Sequence, residues 1–189
     1  NSSYGFRPKR STTDALEAIR LTGGRGHRYV VEIDIEKYFD TIDHEKLMKL
    51  MERRVSDRRV LKLLRQWIKA GVLVEGRIEG TELGSPQGGV ISPLLANIYL
   101  DVLDSIWERR CRHLGQLVRY ADDAVVLCRS RADAEESMRR LGLIMDRLSL
   151  TLHPDKTRLI PFQRPPAGKT GKSGGPGHQT RSFDLLGFT

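Results

Sequence analysis

The chain has 189 residues, with 32 Lys plus Arg against 24 Asp plus Glu and a formal net charge of +8 at pH 7. At 39% hydrophobic and 30% charged it suits one domain with a sizeable core, and no apolar run approaches the roughly 18–20 residues of a membrane helix. Neither a membrane span nor a secretory precursor is expected, and the two cysteines, Cys111 and Cys128, are too few for a disulfide framework, so a reducing, cytoplasmic compartment is expected. The excess of positive charge points to a polyanionic partner such as nucleic acid. The chain opens on Asn1-Ser2-Ser3 without an initiator Met, as a piece of a longer protein would.

In chain order, Thr12-Thr13-Asp14 offers side-chain caps for a helix that should stop at Gly23-Gly24. Tyr29 to Ile35 alternates Val31, Ile33 and Ile35, the pattern of a strand, and that strand carries Asp34 at its end. Helical spacing of Leu47, Leu50 and Met51 predicts a helix over Asp43 to Arg54, and Val60, Leu64, Trp67 and Ile68 predict another before Gly71. Val72 to Leu83 reads as a strand hairpin. Ser92-Pro93 supplies a cap and a first-turn proline for a helix reaching about His113.

Leu117 to Tyr120 and Ala124 to Cys128 form two short apolar strands around a turn of Ala121-Asp122-Asp123. A helix over Ala132 to Leu148 and a strand over Arg158 to Phe162 follow. Residues 164–182 hold five Gly and three Pro among nineteen and predict a mobile, basic loop, and Phe183 to Phe188 reads as a last strand.

Without the inserted segments the order is strand, helix, strand, strand, helix, strand: an α+β chain with a ferredoxin-like, split βαβ core. A right-handed crossover makes the first two strands parallel, and the hairpin returns the third antiparallel beside the first. The end of the first strand then lies next to the hairpin turn, so Asp34, Asp122 and Asp123 should converge on one sheet edge. Like charges so close repel unless a cation lies among them. Carboxylate oxygens suit Mg²⁺, and two such ions roughly 3.5–4 Å apart would support phosphoryl transfer. An isolated Asp-Asp would more often be a turn or a cap; three acids at a strand end and turn reverse that preference.

Three segments carry a family resemblance: Tyr120-Ala121-Asp122-Asp123; Glu32-Ile33-Asp34-Ile35-Glu36-Lys37-Tyr38-Phe39-Asp40; and Ser85-Pro86-Gln87-Gly88-Gly89-Val90-Ile91-Ser92-Pro93. With Tyr4-Gly5-Phe6-Arg7-Pro8 before them, and His153-Pro154-Asp155-Lys156-Thr157 and Leu185-Leu186-Gly187-Phe188 after, they resemble the reverse transcriptases of bacterial group II introns over nearly the whole chain. The Gln-Gly-x-x-x-Ser-Pro form is more similar to introns and retron-like relatives than to diversity-generating enzymes.

The resemblance implies a polymerase palm with partial helical fingers over residues 1–189, catalysing RNA-directed DNA synthesis with two Mg²⁺ ions. Its partners would be an RNA template, a DNA primer, a dNTP and the intron RNA, with no membrane, and it would support intron retromobility. It further implies that Asp34 and Asp122 bind metal, with Asp123 beside them and the Ile35 carbonyl as an added ligand. Phe39 would exclude the ribose 2′-hydroxyl, Gln87 would contact the incoming nucleotide, and Arg7 and Lys156 would lie near template or triphosphate. Leu186, Gly187 and Phe188 would support the primer end. Each has a plainer reading as well: Phe39 as a core aromatic, Gln87 in a strand-to-helix turn, Lys156 as a solvated side chain, and Leu186-Gly187-Phe188 as a bent apolar strand.

Gly168-Lys169-Thr170 and Gly171-Lys172-Ser173 are not a phosphate-binding P-loop, because Gln163 and Pro166 stand where it requires Gly. Cys111 and His113 lack a second pair at zinc spacing. Arg53, Arg54, Arg58, Arg59, Lys62 and Arg65 suit a nucleic-acid backbone and the wet face of two helices equally. A purely RNA-binding maturase module is the competing class, and the cluster of acids argues against it, since backbone binding calls for none. A nucleotide cyclase on the same strand plan would carry a Gly-Gly-rich hairpin instead. Upstream fingers motifs, a helical thumb and maturase or DNA-binding regions are not found within these 189 residues. The chain alone is therefore expected to have a complete metal site and a poor hold on primer and template.

Overall fold

A computed structural model describes residues 2–69, 72–74, 77–79 and 91–161. The elements are α1 (Thr12–Gly24), β1 (Tyr29–Ile33), α2 (Tyr38–Thr41), α3 (His44–Glu52), α4 (Arg58–Lys69), β2 (Val72–Val74), β3 (Arg77–Glu79), α5 (Ser92–Ile106), β4 (Gly115–Tyr120), β5 (Asp123–Cys128), α6 (Arg131–Arg147) and β6 (Arg158–Pro161). β2 and β3 form a separate antiparallel ribbon, as the hairpin reading expects.

The main sheet has the order β4-β5-β1-β6, with every neighbouring pair antiparallel. β1 and β4, separated by β5, therefore run parallel, and the split βαβ expectation holds. β1 is central because its residues bury both faces. Val31 and Ile33 join Leu95, Leu103, Leu141 and Met145 on one side, while Val30 meets Ala15 and Ile19 of α1 on the other. A strand covered on both faces reads as a continuous apolar run, which is what Val30-Val31 and Ala124 to Cys128 supply.

Helix starts follow local chemistry, with corrections. The α1 cap is Ser11, one residue before the expected Thr12: its hydroxyl accepts from the Asp14 N–H, and Asp14 accepts from the Ser11 N–H. Ser130 caps α6 through the Asp133 N–H. Ser92 does not cap α5. Ile91 occupies the cap position and Ser92 is the buried first helical residue, because the side chain turns into the core instead of back to the helix end. α5 continues as a π-helical turn over Trp107–Cys111 before β4, so the expected run to His113 is two kinds of helix.

In α4 the expected apolar face divides. Leu64 and Ile68 are buried, whereas Val60 and Trp67 are exposed, since the helix offers only a narrow stripe to the core. The short α2 has no counterpart in the sequence expectations. The basic loop 164–182, the last strand over 183–188 and the outer part of the 72–83 hairpin lie outside the described residues.

Candidate active site

β1 ends at Ile33, two residues earlier than the alternation suggests, and Asp34 follows it directly. Ile35 still makes an isolated bridge to Leu152. Pairing of Ile33 with Ala124 puts Asp34 level with Asp123 on the neighbouring strand. Asp123 is not part of the turn. It pairs with Tyr120 as the first residue of β5, leaving a two-residue turn of Ala121 and Asp122. Ala121 adopts φ +56°, the left-handed region that a two-residue hairpin asks of its first turn residue. The convergence of Asp34, Asp122 and Asp123 on one sheet edge is thus present.

The segment after α6 closes on Asp34. The His153 N–H donates to the Asp34 carbonyl at 2.9 Å, and the Thr157 hydroxyl bonds both the carbonyl (3.2 Å) and the N–H (3.3 Å) of Asp34. The same segment brings the Lys156 Nζ to 3.4 Å from the Asp34 Oδ2. Next to it, Arg158 Nε pairs with Glu32 Oε2 at 2.7 Å. Desolvation pushes the Asp123 carboxyl above the usual range, the charges of Asp122, Asp34 and Glu32 push it further, and Lys156 pulls it back. Lys156 and Arg158 are two cations against the four acids Glu32, Asp34, Asp122 and Asp123.

That imbalance and the all-oxygen donor set fit a hard divalent cation. Among the described residues no three His, Cys, Asp or Glu side chains are grouped so that they could hold a metal ion. An open pair is what Mg²⁺ uses when it keeps water and substrate phosphates as its other ligands.

Phe39 lies five residues past Asp34, in α2, half-buried against Tyr38 with ring centroids 5.3 Å apart. The Tyr38 hydroxyl donates to the Ala96 carbonyl at 2.6 Å, anchoring α2 to α5. Lys37, at φ +46°, starts this short helix. Arg7 is exposed, just beyond Tyr4-Gly5-Phe6, a segment that runs alongside the turn: Phe6 and Tyr120 rings are 6.2 Å apart. An added Cβ on Gly5 would collide with the Ala121 backbone nitrogen, so only Gly allows this approach. Gln87, Leu186, Gly187 and Phe188 lie outside the described residues. A cavity of about 410 Å³ between Tyr4, His27, Trp107 and Arg129 sits at the opposite end of β4 and β5, and none of the three aspartates lines it.

Sequence reasoning missed Arg119. It is 1% exposed, and its guanidinium bonds both oxygens of Asp104. A lone Arg inside an otherwise apolar strand is the signal that could have found it.

The strand order is that of a polymerase palm, and residues 1–189 match the family model described as reverse transcriptase (RNA-dependent DNA polymerase). The chain belongs to the reverse transcriptase family. Protein YkfC of Escherichia coli K12 is 35% identical over 193 residues, covering 83% of this chain and 51% of that protein. Group II intron-encoded protein LtrA of Lactococcus lactis subsp. cremoris is 46% identical over 102 residues, covering 54% of this chain and 17% of that protein. The chain thus spans about half the length of one relative and a smaller share of the other. In fold it is similar to apo telomerase from Candida tropicalis, with a TM-score of 0.67 at 14% identity over 85% of this chain and 33% of that one. The expected resemblance to group II intron proteins and the expected polymerase fold both hold. No described helix is long and apolar enough to cross a membrane.

Proposed function

We propose that this chain is the palm and partial fingers of an RNA-directed DNA polymerase of a group II intron, acting by two-metal nucleotidyl transfer in support of intron retromobility. The observation that carries the proposal is the meeting of Asp34, from the end of β1, with Asp122 and Asp123, from the β4–β5 hairpin, at one sheet edge. The primer 3′-hydroxyl forms a new bond to the α-phosphorus of a dNTP, the bond to pyrophosphate breaks, and the hydroxyl proton passes to water.

Asp34 and Asp122 would hold the ions, with Asp123 and the Ile35 carbonyl beside them. Two bound Mg²⁺ supply activation of the attacking oxygen and stabilisation of the leaving one. Lys156, 3.4 Å from Asp34, would be within reach of a bound triphosphate. Phe39 would stand against the sugar 2′ position, Arg7 near template or triphosphate, Gln87 against the incoming nucleotide, and Leu186-Gly187-Phe188 would support the primer end. The working partners are RNA template, DNA primer and intron RNA in the cytoplasm.

A second reading, an RNA-binding maturase without chemistry, draws on the +8 charge and the exposed Arg53, Arg54, Arg58, Arg59 and Lys62 around α4. Primer extension and RNA binding, measured together for wild type and Asp34→Asn, separate the two. Loss of extension with binding kept supports the polymerase; binding with no extension by the wild type, even with flanking segments of a full-length relative attached, supports the maturase.

A further inference from the structure

Arg119 occupies the second-last position of β4, two residues before Ala121 opens the turn and three before Asp122. Its surroundings account for four hydrogen bonds. Nε donates to Asp104 Oδ1 at 3.0 Å and Nη2 to Asp104 Oδ2 at 2.6 Å, while Nη1 donates to Asn97 Oδ1 at 3.0 Å and to the Ala121 carbonyl at 2.6 Å. Asn97 passes the connection on, its Nδ2 donating to the Gly5 carbonyl at 2.9 Å. The Arg119 backbone reaches the same segment, its N–H donating to the Ser2 carbonyl and its carbonyl accepting from the Tyr4 N–H, both at 2.8 Å.

A buried guanidinium is expensive to desolvate, and an apolar side chain would fill a strand position at less cost. What the charge pair adds is direction. Asp104 and Asn97 stand seven residues apart on α5, two turns along one face, and fix the planar fork from a rigid element. The free edge of the fork then holds the Ala121 carbonyl. That carbonyl belongs to the peptide unit joining Ala121 to Asp122, so holding it sets the direction in which Asp122 leaves the turn. Ala121, at φ +56°, would not keep this conformation by local preference.

We propose that Arg119 is a positioning residue for Asp122. Anchored by Asp104, it acts through the Ala121 carbonyl to hold the turn, and through Asn97 it locks the Tyr4-Gly5-Phe6 segment against that turn. The inference rests on the reading of Asp122 as a metal-binding acid.

The test uses the full chain and Mn²⁺ as the probe ion, with Mn²⁺ affinity read by electron paramagnetic resonance and turn order by amide hydrogen exchange at residues 121–123. Arg119→Lys keeps a charge for Asp104 and loses the fork. It is expected to unfold cooperatively, to exchange faster at the turn than elsewhere in β4 and β5, and to bind Mn²⁺ about 10- to 100-fold more weakly. In primer extension kcat should fall with KM for dNTP little changed.

A milder variant carries the test if Arg119→Lys does not fold: Asn97→Ala cuts the link to Gly5 and should shift turn exchange and Mn²⁺ affinity in the same direction by a smaller factor. Wild-type exchange and Mn²⁺ affinity in every folded variant overturn the positioning role. Mn²⁺ binding undiminished in Asp122→Asn overturns the metal reading instead.

Discussion

Lys156 Nζ lies 3.4 Å from Asp34 Oδ2, so a lysine from the segment after α6 stands at one side of the carboxylate proposed to hold metal. Both side chains reach solvent, and such a pair stabilises the fold by less than about 1 kcal/mol. An ammonium and a divalent cation compete for the same oxygens. Lys156→Gln is therefore expected to leave thermal stability almost unchanged, to tighten Mn²⁺ binding in titrations of the free chain, and to raise KM for dNTP in primer extension. A large stability loss with unchanged Mn²⁺ affinity would make the pair a structural contact only.

Crowding of acids at the sheet edge makes a second expectation. Asp123 faces Asp122, Asp34 and Glu32, and their charges raise its carboxyl along with desolvation. Without divalent cations Asp123→Asn should stabilise the fold by about 1 kcal/mol or less, seen as a rise of roughly 1–4 °C in Tm. With Mg²⁺ at millimolar concentration the advantage should vanish or reverse, because the wild type then gains more from the ion. Differential scanning calorimetry of both proteins with and without Mg²⁺ reads this directly; an Asn variant less stable than wild type in chelator goes against mutual repulsion.

Much of this edge was legible in the sequence. Val31 and Ile33 announce a strand whose end must carry Asp34, and the two apolar runs around Ala121-Asp122 announce the hairpin. What the sequence left out has physical causes. The four residues of α2 are too few to show a period, so the element bearing Phe39 was invisible. In α4 the helical spacing of Val60 and Trp67 is real, yet spacing describes a face and not whether anything covers it. Arg119 hid inside an apolar strand because its partners, Asp104 and Asn97, come from a helix whose packing only the fold defines.

Phe39 is half-buried against the core, so truncation carries a modest cost in packing beside the steric role proposed for the ring. Phe39→Ala is expected to lower discrimination between dNTP and rNTP by about 10- to 200-fold, the range one steric contact supplies. The measurement is the ratio of kcat/KM for the two nucleotides. An unchanged ratio with lowered Tm would assign the ring to the core.

Away from the site, Glu136 bonds Arg139 and Arg140, which lower its carboxyl to about 2. A lowered folded-state value means that the contribution is present above the ordinary value of 4.5 and is lost as pH falls toward about 2. Glu136→Gln should therefore match wild type in Tm near pH 2 and fall slightly below it at pH 6. The two thiols are buried and unpaired with each other, and desolvation pushes Cys128 up to about 11 and raises Cys111. Iodoacetamide at pH 7.5 should label neither until denaturant is added; rapid native labelling would place a thiol at the surface.

Asp122, at the tip of the β4–β5 hairpin, is the residue on which the proposed DNA synthesis depends. The most direct test is deoxynucleotide incorporation on an RNA template with a DNA primer and Mg²⁺, by this chain and by a version carrying flanking segments of a full-length relative, each beside Asp122→Asn. Incorporation by the wild type, lost in Asp122→Asn while Tm and RNA binding are retained, is the expected result. Equal incorporation by Asp122→Asn, or none by the flanked wild type, would contradict it.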